Sequence, residues 1–307
     1  MPELPEVEVV RAGLDPALAS ATIAAVTVHD SRALTRHLGT AGDFEERLVG
    51  RSVDAVVRRG KFLWMPLAPE VAEMEPAEAI VGHLGMSGQM LLRAAGAPIE
   101  RHERVRFEID SPEHGELAVV FADQRTFGSL AIDPLHKTAD GAPGGWGSSL
   151  ALVPGQVAHI ARDPLDPAFD EAGFFAAIAR SRSAVKRMLL DQTVVSGVGN
   201  IYADESLWAA RLHPEQAGRD LPTRAVRRLL AEVRSVLQRA LAEGGTSFDA
   251  QYVNVNGQAG YFAHSLNAYG RTGEPCPRCG TAIVRVSFTN RSSHYCPRCQ
   301  RRRPPVE

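Results

Sequence analysis

The sequence lacks any long hydrophobic run. No stretch of about 18 apolar residues occurs in its 307 residues, and no charged-then-apolar leader precedes the first amphipathic segment. These absences argue against a membrane-spanning helix and a secretory signal. We therefore expect a soluble, cytoplasmic protein with no membrane partner, and the length suggests two domains with a substantial hydrophobic core.

Cysteine is nearly absent as well, which excludes a disulfide framework. All four cysteines fall in the last 32 residues, as Cys276-Pro-Arg-Cys279 and Cys296-Pro-Arg-Cys299, with sixteen residues between the pairs. This spacing is typical of a closed, tetrahedral zinc site, so we predict one structural Zn²⁺ held by four thiolates. Two disulfides or free thiols are the alternative, and cytosolic redox conditions disfavour it.

A strong net charge is also missing. The formal net charge is −2, which argues weakly against a nucleic-acid partner, but Arg271 to Glu307 contains eight arginines, two glutamates and no lysine. Arg285–Phe288 and Ser293–Tyr295 are predicted to form a hairpin with Arg291 near its tip. An arginine on a zinc-held hairpin suits a phosphate clamp, although Arg291 taken alone could equally be a solvated surface residue.

Short β-type segments fill the first half, and no helical pattern alternates with them. That pattern is typical of an antiparallel sandwich or flattened barrel and disfavours a parallel sheet. A short helix, Pro5 to Leu14, precedes them, with Val7 and Val10 on its apolar face. The predicted strands are Thr22–Val28, Ser52–Arg59, Lys61–Leu67, Ala79–Leu84, Gln89–Leu92, Val105–Ile109, Glu116–Phe121 and Gly128–Ile132.

The second half changes to a helical period after a Gly-, Pro- and Ser-rich segment, Asp140–Gly155, which we interpret as a linker or the edge of one. The clearest helix is Thr223–Glu243, whose apolar stripe ends at Gly244-Gly245. Shorter helices are predicted at Glu171–Ala179, Ser183–Leu190 and Gly199–Ala209. The predicted domains are 1–150, 151–268 and 269–307.

The first six residues, Met1-Pro2-Glu3-Leu4-Pro5-Glu6, suggest amine chemistry. Removal of Met1 would leave Pro2 as a secondary amine, and an α-amino group has a pKa of roughly 7.7–8.0. Such an amine can attack an electrophilic carbon and hold it as an iminium, with Glu3 and Glu6 moving protons. Alternatively, Pro5 merely starts a helix and the glutamates lie in its positive first turn.

A turn-rich segment, Gln192 to Tyr202, precedes another predicted helix. Gly197 and Gly199 would let backbone amides approach a ligand closely, and Asn200 lies where the helix begins. Exposed amides at a helix start suit a phosphodiester. Lys186 and Arg187, just upstream, favour nucleic acid, while plain helix capping is the alternative.

Three further turns carry exposed-looking functional side chains. His83-Leu-Gly-Met86-Ser-Gly places a methionine between glycines, and Asp123-Gln-Arg125-Thr-Phe127-Gly presents an arginine and a phenylalanine. These suit wedges that unstack a base step, with Arg125 filling the hole left by an extruded nucleotide, although Met and Phe could fold into the core. Arg58-Arg-Gly-Lys61 is a basic cluster whose lysine could meet a phosphate or be an ordinary surface residue.

Together these segments resemble bacterial formamidopyrimidine-DNA glycosylases, which remove oxidised purines such as 8-oxoguanine. The matching motifs, in the family's order, are MPELPEVE, RRGKFLW, HLGMSG, DQRTFG, VVSGVGNIYADESL, GGTS…GYF and the zinc finger. The resemblance implies an α+β protein: an N-terminal antiparallel β-sandwich catalytic domain with a leading helix, a helix–two-turns–helix DNA-binding domain and a C-terminal zinc-finger hairpin. Double-stranded DNA containing oxidised bases is the implied partner, and a nucleoid-associated monomer is expected.

By the same resemblance, Pro2 is the nucleophile, Glu3 the main proton donor and acceptor, and Glu6 a supporting carboxylate. The implied activity combines base removal with β,δ-elimination of the strand at the resulting abasic site. Lys61 and Arg291 complete the implied catalytic set as phosphate grips. The remaining implied DNA contacts are Met86, His102, Arg125, Phe127 and Asn200.

Two departures from the family pattern leave lesion preference open. Thr126 stands where many relatives have a second arginine, and Asp249 lies in the lesion-capping loop Thr246–Gly260 where relatives often have a basic residue. The alternatives are an endonuclease VIII-like glycosylase for oxidised pyrimidines, a non-catalytic DNA damage-binding protein, and a zinc-ribbon module unrelated to DNA. The Leu4-Pro5 opening favours the purine enzyme over the first of these.

Overall fold

The computed structural model describes residues 2–69, 75–246, 255 and 261–302. The chain divides into two compact units, the first comprising Met1–Pro2, Glu6–His159 and Thr246–Gly260, and the second comprising Glu3–Pro5, Ile160–Gly245 and Tyr261–Glu307. Within the described residues, no helix combines the length and apolar character that a bilayer crossing needs.

The first unit is built from two antiparallel sheets. One sheet has the strand order β1-β6-β7-β5 and the other β2-β3-β4-β8-β9. A leading helix, α1 (Leu4–Leu18), precedes them. The strands are β1 (Thr22–Val28), β2 (Val57–Arg59), β3 (Phe62–Pro66), β4 (Glu78–His83), β5 (Gly88–Ala94), β6 (Glu103–Ser111), β7 (Gly115–Asp123), β8 (Ser129–Lys137) and β9 (Leu152–Pro154).

One apolar core lies between these sheets. Alternate residues of β6, Val105, Phe107 and Ile109, are buried in the same cluster as Leu63 and Ile80 of the other sheet, as expected where every second side chain faces inward. The α1 residues Val7, Val10 and Leu14 join this cluster. The predicted antiparallel sandwich with a leading helix is confirmed.

Two expectations for this half of the chain were wrong. A helix, α2 (Ala41–Leu48), lies between β1 and β2; Thr40 caps it, and it buries only Phe44 and Leu48. Two apolar residues in a Gly- and acid-containing stretch are too few to reveal a helical period. The interpreted linker, Asp140–Gly155, contains β9, which pairs with β8 at the sheet edge. Pro154 of β9 is tolerated because an edge strand needs fewer amide donors.

The second unit is helical and ends in a hairpin. Its helices are α3 (Glu171–Arg180), α4 (Val185–Leu190), α5 (Asn200–Ala209) and α6 (Thr223–Ala242), and its hairpin strands are β10 (Val284–Phe288) and β11 (Arg291–Tyr295). The predicted apolar stripe of α6 is buried, including Leu229, Val233 and Leu237. Gly244 and Gly245 both adopt positive φ after it, which stops the helix.

His83, the last residue of β4, is held in its neutral form. Its Nδ1 accepts a hydrogen bond from the Gly85 amide at 3.2 Å. Burial, reinforced by the positive charges of Arg36 and Lys61, lowers the pKa of His83 to about 4 from an ordinary 6.5. Between these pH values the unfolded chain binds the proton and the folded chain does not. This contribution to stability is therefore present above pH 6.5 and is lost as the pH falls towards 4.

We accordingly expect the His83→Asn variant to lose less stability on acidification than the native chain. The difference should approach about 3 kcal/mol near pH 4, because each pKa unit corresponds to roughly 1.4 kcal/mol. Urea unfolding at pH 7 and pH 4.5 measures it, with exposed His114→Asn as the matched control. Parallel pH profiles for native protein and His83→Asn would show that His83 does not titrate as described.

Candidate active site and zinc centre

The carboxylate of Glu3 is bound by the backbone at the start of α5. It accepts hydrogen bonds from the amides of Gly199 at 2.6 Å, Ile201 at 3.0 Å and Tyr202 at 3.4 Å. Glu3 is only 2% exposed. Amides at a helix start are unpaired within the helix and favour a negative charge. The protein thus supplies its own anion to this site.

This arrangement corrects the prediction of a phosphodiester site at the α5 amides. The two glycines do permit close approach, but what approaches is the N-terminal segment. A Cβ on Gly197, which has a φ of +85°, would lie 2.7 Å from Leu4 Cβ, and a Cβ on Gly199 would lie 2.3 Å from Glu3 Cδ. The cap position belongs to Gly199, and Asn200 is the first helical residue. A phosphate role for Asn200 must therefore rest on its side chain.

Pro2 and Glu6 belong to the first unit. Pro2 is buried, and Glu6 is 2% exposed. One Glu6 oxygen accepts hydrogen bonds from Thr246, from its amide at 2.7 Å and its hydroxyl at 2.9 Å. Glu6 therefore holds the first residue of the segment 246–260. Apart from Thr246 and Val255, that segment and its Asp249 lie outside the described residues.

Lys61 lies in the turn between β2 and β3, half-buried, after Gly60 at a φ of +56°. The basic cluster predicted there is not a surface patch. Arg58 is 1% exposed; its Nε donates to Glu8 Oε2 at 2.7 Å and its Nη1 to the Gly60 carbonyl at 3.1 Å. Arg59 donates to the Gly144 carbonyl. The two arginines therefore fix the turn that contains Lys61, the phosphate-binding cation that the family resemblance implies.

The candidate wedge residues of the first unit are exposed, as predicted. Met86 is 40% and Phe127 60% exposed, and Arg125 is also exposed, with its Nη1 3.9 Å from Met86 Sδ. His102 is half-buried and adopts a φ of +68° in the turn before β6. The structure thus brings the Met86 and Arg125 turns together on one face of the first unit.

Arg291 belongs to the second unit and begins β11, opposite Phe288, so it lies next to the two-residue turn at the hairpin's tip. It is exposed. Lys186, interpreted above as favouring nucleic acid, is wholly buried: its Nζ lies 2.7 Å from Asp204 Oδ1 and donates to the Ser292 carbonyl and Ser293 Oγ. Burial lowers the pKa of Lys186, and the Asp204 carboxylate opposes that shift. Lys186 therefore fixes the strand that carries Arg291 and is not a surface contact.

The four cysteine Sγ atoms lie within 4.8 Å of one another, and Cys279 Sγ is 3.5 Å from the Sγ atoms of Cys296 and Cys299. A disulfide needs about 2.05 Å. Four sulfurs around zinc at about 2.3 Å would be separated by about 3.8 Å. These thiols therefore fit one tetrahedral Zn²⁺ with no open position, which agrees with a structural role.

The zinc-binding segment packs on α5. Trp208 Nε1 donates to Cys276 Sγ at 3.4 Å, and the Arg278 guanidinium lies 3.7 Å from the Trp208 ring centroid. Asp204 Oδ2 accepts the His294 amide at 2.8 Å. Glu205 accepts three consecutive amides, those of Asn267, Ala268 and Tyr269. Charged residues of one buried helix thus hold the segment that leads to the zinc.

Sequence reasoning missed the carboxylates that organise these sites. Asp204 and Glu205 lie within the VVSGVGNIYADESL motif but give no local signal of their role, because their hydrogen-bond partners lie 60 to 90 residues away. Asp123 opens the DQRTFG turn and accepts the amide two residues later. That spacing is characteristic of an Asx-turn and was available from the sequence.

Three family models match the chain. The formamidopyrimidine-DNA glycosylase N-terminal domain matches residues 1–130, the formamidopyrimidine-DNA glycosylase H2TH domain residues 160–251, and the zinc finger found in FPG and IleRS residues 273–302. Over 98% of its length the chain is 63% identical to a formamidopyrimidine-DNA glycosylase of Leifsonia xyli subsp. xyli, covering all of that protein.

Two solved structures of the Lactococcus lactis Fpg protein are similar to this chain throughout. Its complex with abasic-site DNA gives a TM-score of 0.79, and a point mutant in complex with a Fapy-dG containing DNA gives 0.80. Each is 28% identical, and each comparison covers 98% of this chain and 100% of the other.

Removing one thiolate should release the metal. We expect Cys296→Ser to bind less than one zinc per chain and to lose hydrogen-exchange protection in β10 and β11, because a segment this small depends on its metal for folding. Elemental analysis and exchange measurements test this. Ser287→Ala, on β10 but outside the thiolate set, should keep both. Full zinc occupancy in Cys296→Ser would contradict the four-thiolate site.

Gly199→Ala should displace the Glu3 carboxylate. The φ of −124° at Gly199 suits any residue, so the added methyl acts only through its contact with Glu3. We expect a loss of about 2 kcal/mol in the free energy of unfolding, the scale of hydrogen bonds to a charged group. Gly42→Ala is the matched control, since its Cβ would meet nothing nearer than 3.7 Å. Equal stability of both variants would show that Glu3 is not held by this contact.

Proposed function

The chain belongs to the formamidopyrimidine-DNA glycosylase family. We propose that it removes a damaged base from DNA through a covalent bond between Pro2 and the sugar, and that it then cleaves the damaged DNA strand. It is a DNA glycosylase of base excision repair. The observation that carries the covalent step is the binding of Glu3 by three amides of α5, because it fixes the residue bonded to Pro2.

The first step forms the bond between Pro2 and the sugar. With Met1 removed, the nitrogen lone pair of Pro2 attacks C1′ of an extruded nucleotide, and the C1′–N bond to the damaged base breaks with its electron pair on the base. The Glu3 carboxylate takes the proton that the Pro2 nitrogen loses and delivers it to the ring oxygen as the bond from C1′ to that oxygen breaks, so that the nitrogen and C1′ become an iminium. The released base takes its proton from water. A secondary amine forms this cation directly, since it has a single proton to lose.

The second step is elimination. The iminium draws electrons from C2′, so a C2′ proton passes to a proton acceptor of the protein. The C3′–O bond then breaks with release of the 3′ phosphate. In a second elimination a C4′ proton is lost and the C5′–O bond breaks with release of the 5′ phosphate; water then adds to C1′ and releases Pro2. Glu3 acts as the proton acceptor here, as general acid–base catalysis requires of the group that acted before as donor.

The remaining candidate residues act on the DNA. Extruding a nucleotide costs a few kcal/mol, which phosphate contacts from Lys61, Asn200 and Arg291 offset, while Met86, Arg125 and Phe127 occupy the vacated stack. Oxidised purines are the proposed substrates. The complex of a Lactococcus lactis Fpg mutant with a Fapy-dG containing DNA supports this choice. The enzyme acts as a monomer on chromosomal DNA in the cytoplasm.

Borohydride trapping on three duplexes tests the covalent step. The duplexes carry 8-oxoguanine, ring-opened purine or oxidised thymine. We expect reduction to give a stable protein–DNA adduct on the two purine lesions. An N-terminal extension, which converts the Pro2 nitrogen to an amide, should lower trapping and cleavage at least about 100-fold, whereas the same extension placed after Glu307 should have no such effect.

Each other outcome has a definite meaning. Undiminished cleavage by the N-terminally extended chain would rule out Pro2 as nucleophile. Trapping on oxidised thymine alone would identify an endonuclease VIII-like specificity. Salt-dependent binding to all three duplexes without cleavage would identify a damage-binding protein.

A further inference from the structure

Asp123 is a buried carboxylate at the centre of the candidate wedge. It ends β7, opposite Gly88 of β5, and is only 1% exposed. The turns that carry Met86 and Arg125 lie on either side of it. Neither base removal nor strand cleavage, as proposed above, gives this residue a chemical role.

The carboxylate ties the two turns together. Asp123 Oδ1 accepts hydrogen bonds from Ser87 Oγ at 2.5 Å and from the Arg125 amide at 3.1 Å, and Oδ2 accepts the Gly128 amide at 2.7 Å. Ser87 Oγ also accepts the Arg125 amide at 3.1 Å. Arg125 is thus hydrogen-bonded to this carboxylate directly, and Met86 and Phe127 are chain neighbours of the bonded residues Ser87 and Gly128.

The backbone of Asp123 holds a third turn. Its amide donates to the His102 carbonyl at 2.9 Å, and its carbonyl accepts Arg104 Nε at 2.8 Å. His102 itself adopts a φ of +68°. Through side chain and backbone together, Asp123 thus fixes three turns, each of which carries a candidate DNA contact.

The turns are packed tightly and one of them is strained. A Cβ on Gly85 would lie 2.5 Å from the Gly128 nitrogen and 2.6 Å from the Phe127 carbonyl carbon, so the Met86 and Phe127 turns touch through their backbones. Thr126 has a φ of +57°, which is unfavourable for a β-branched residue and persists only where the surroundings impose it. The hydrogen bonds to Asp123 on both sides of Thr126 supply that constraint.

We propose that Asp123 is a positioning residue that preforms the wedge before DNA arrives. Exposed side chains such as Phe127 can unstack a base step only if their turns do not yield when pressed against the duplex. Three hydrogen bonds to one buried carboxylate make these turns a rigid body. The inference rests on the proposed function, since it concerns base extrusion and not the chemistry at Pro2.

Asp123→Asn is the direct test. Asparagine keeps one acceptor for Ser87 and Arg125 but turns an NH₂ group towards the Gly128 amide, where two donors then face each other. We expect excision from an 8-oxoguanine duplex to fall about 10- to 100-fold. Cleavage at an abasic site in a single strand, which has no stack to open, should be unchanged. Ser87→Ala should act in the same direction but more weakly.

Two further measurements separate positioning from general damage. A 2-aminopurine beside the lesion reports unstacking, and its fluorescence rise should be slowed by Asp123→Asn. Asp133→Asn is the matched control, because Asp133 is a buried carboxylate of β8 that accepts the Gln156 amide instead, and it should leave both rates unaltered.

The outcomes are distinguishable. Native excision rates on the duplex in Asp123→Asn and Ser87→Ala, or equal losses on duplex and single strand, would overturn the positioning role. Failure of the native chain on both substrates would instead overturn the proposed function on which this inference rests.

Discussion

The rest of the proposed chemistry depends on the hydrogen bonds between the Glu3 carboxylate and the backbone amides at the start of α5. A buried carboxylate is tolerated only when donors replace its water, and a helix start offers amides that have no partner within the helix. Here three of them take one carboxylate. Because Glu3 is bonded to Pro2, this contact restricts where the proposed nucleophile can lie.

The same helix supports the zinc-binding segment. Residues 201–208 of α5 are all buried, so α5 has no solvent face, and the charged residues on it must be satisfied by protein groups. Asp204 accepts the His294 amide and pairs with Lys186, while Glu205 takes the amides of residues 267–269. One helix therefore holds Glu3 at its start and the hairpin that carries Arg291 along its side.

Much of this fold could be predicted because its signals are local. The strand β1 was predicted with its observed bounds, α6 within one residue, and the four cysteines as one cluster, since alternation, helical period and ligand spacing are properties of short segments. The phosphate-binding interpretation of the α5 amides failed for the opposite reason. Their true partner, Glu3, lies nearly 200 residues away, and no local pattern distinguishes an amide that binds phosphate from one that binds the protein's own carboxylate.

The buried cations were misplaced for a related reason, and their burial has a structural consequence. Composition assigns arginine and lysine to the surface, whereas Arg58 and Lys186 are buried and paired with Glu8 and Asp204. Such pairs add little net stability because desolvation cancels most of their attraction, but breaking one is costly, so a pair can select one arrangement over others.

Lys186 donates to the Ser292 carbonyl and Ser293 Oγ. A shift of β11 by one residue would turn alternate side chains to the other face and remove Ser293 Oγ from the ammonium. The buried lysine therefore fixes the register that puts Arg291 at the exposed start of its strand.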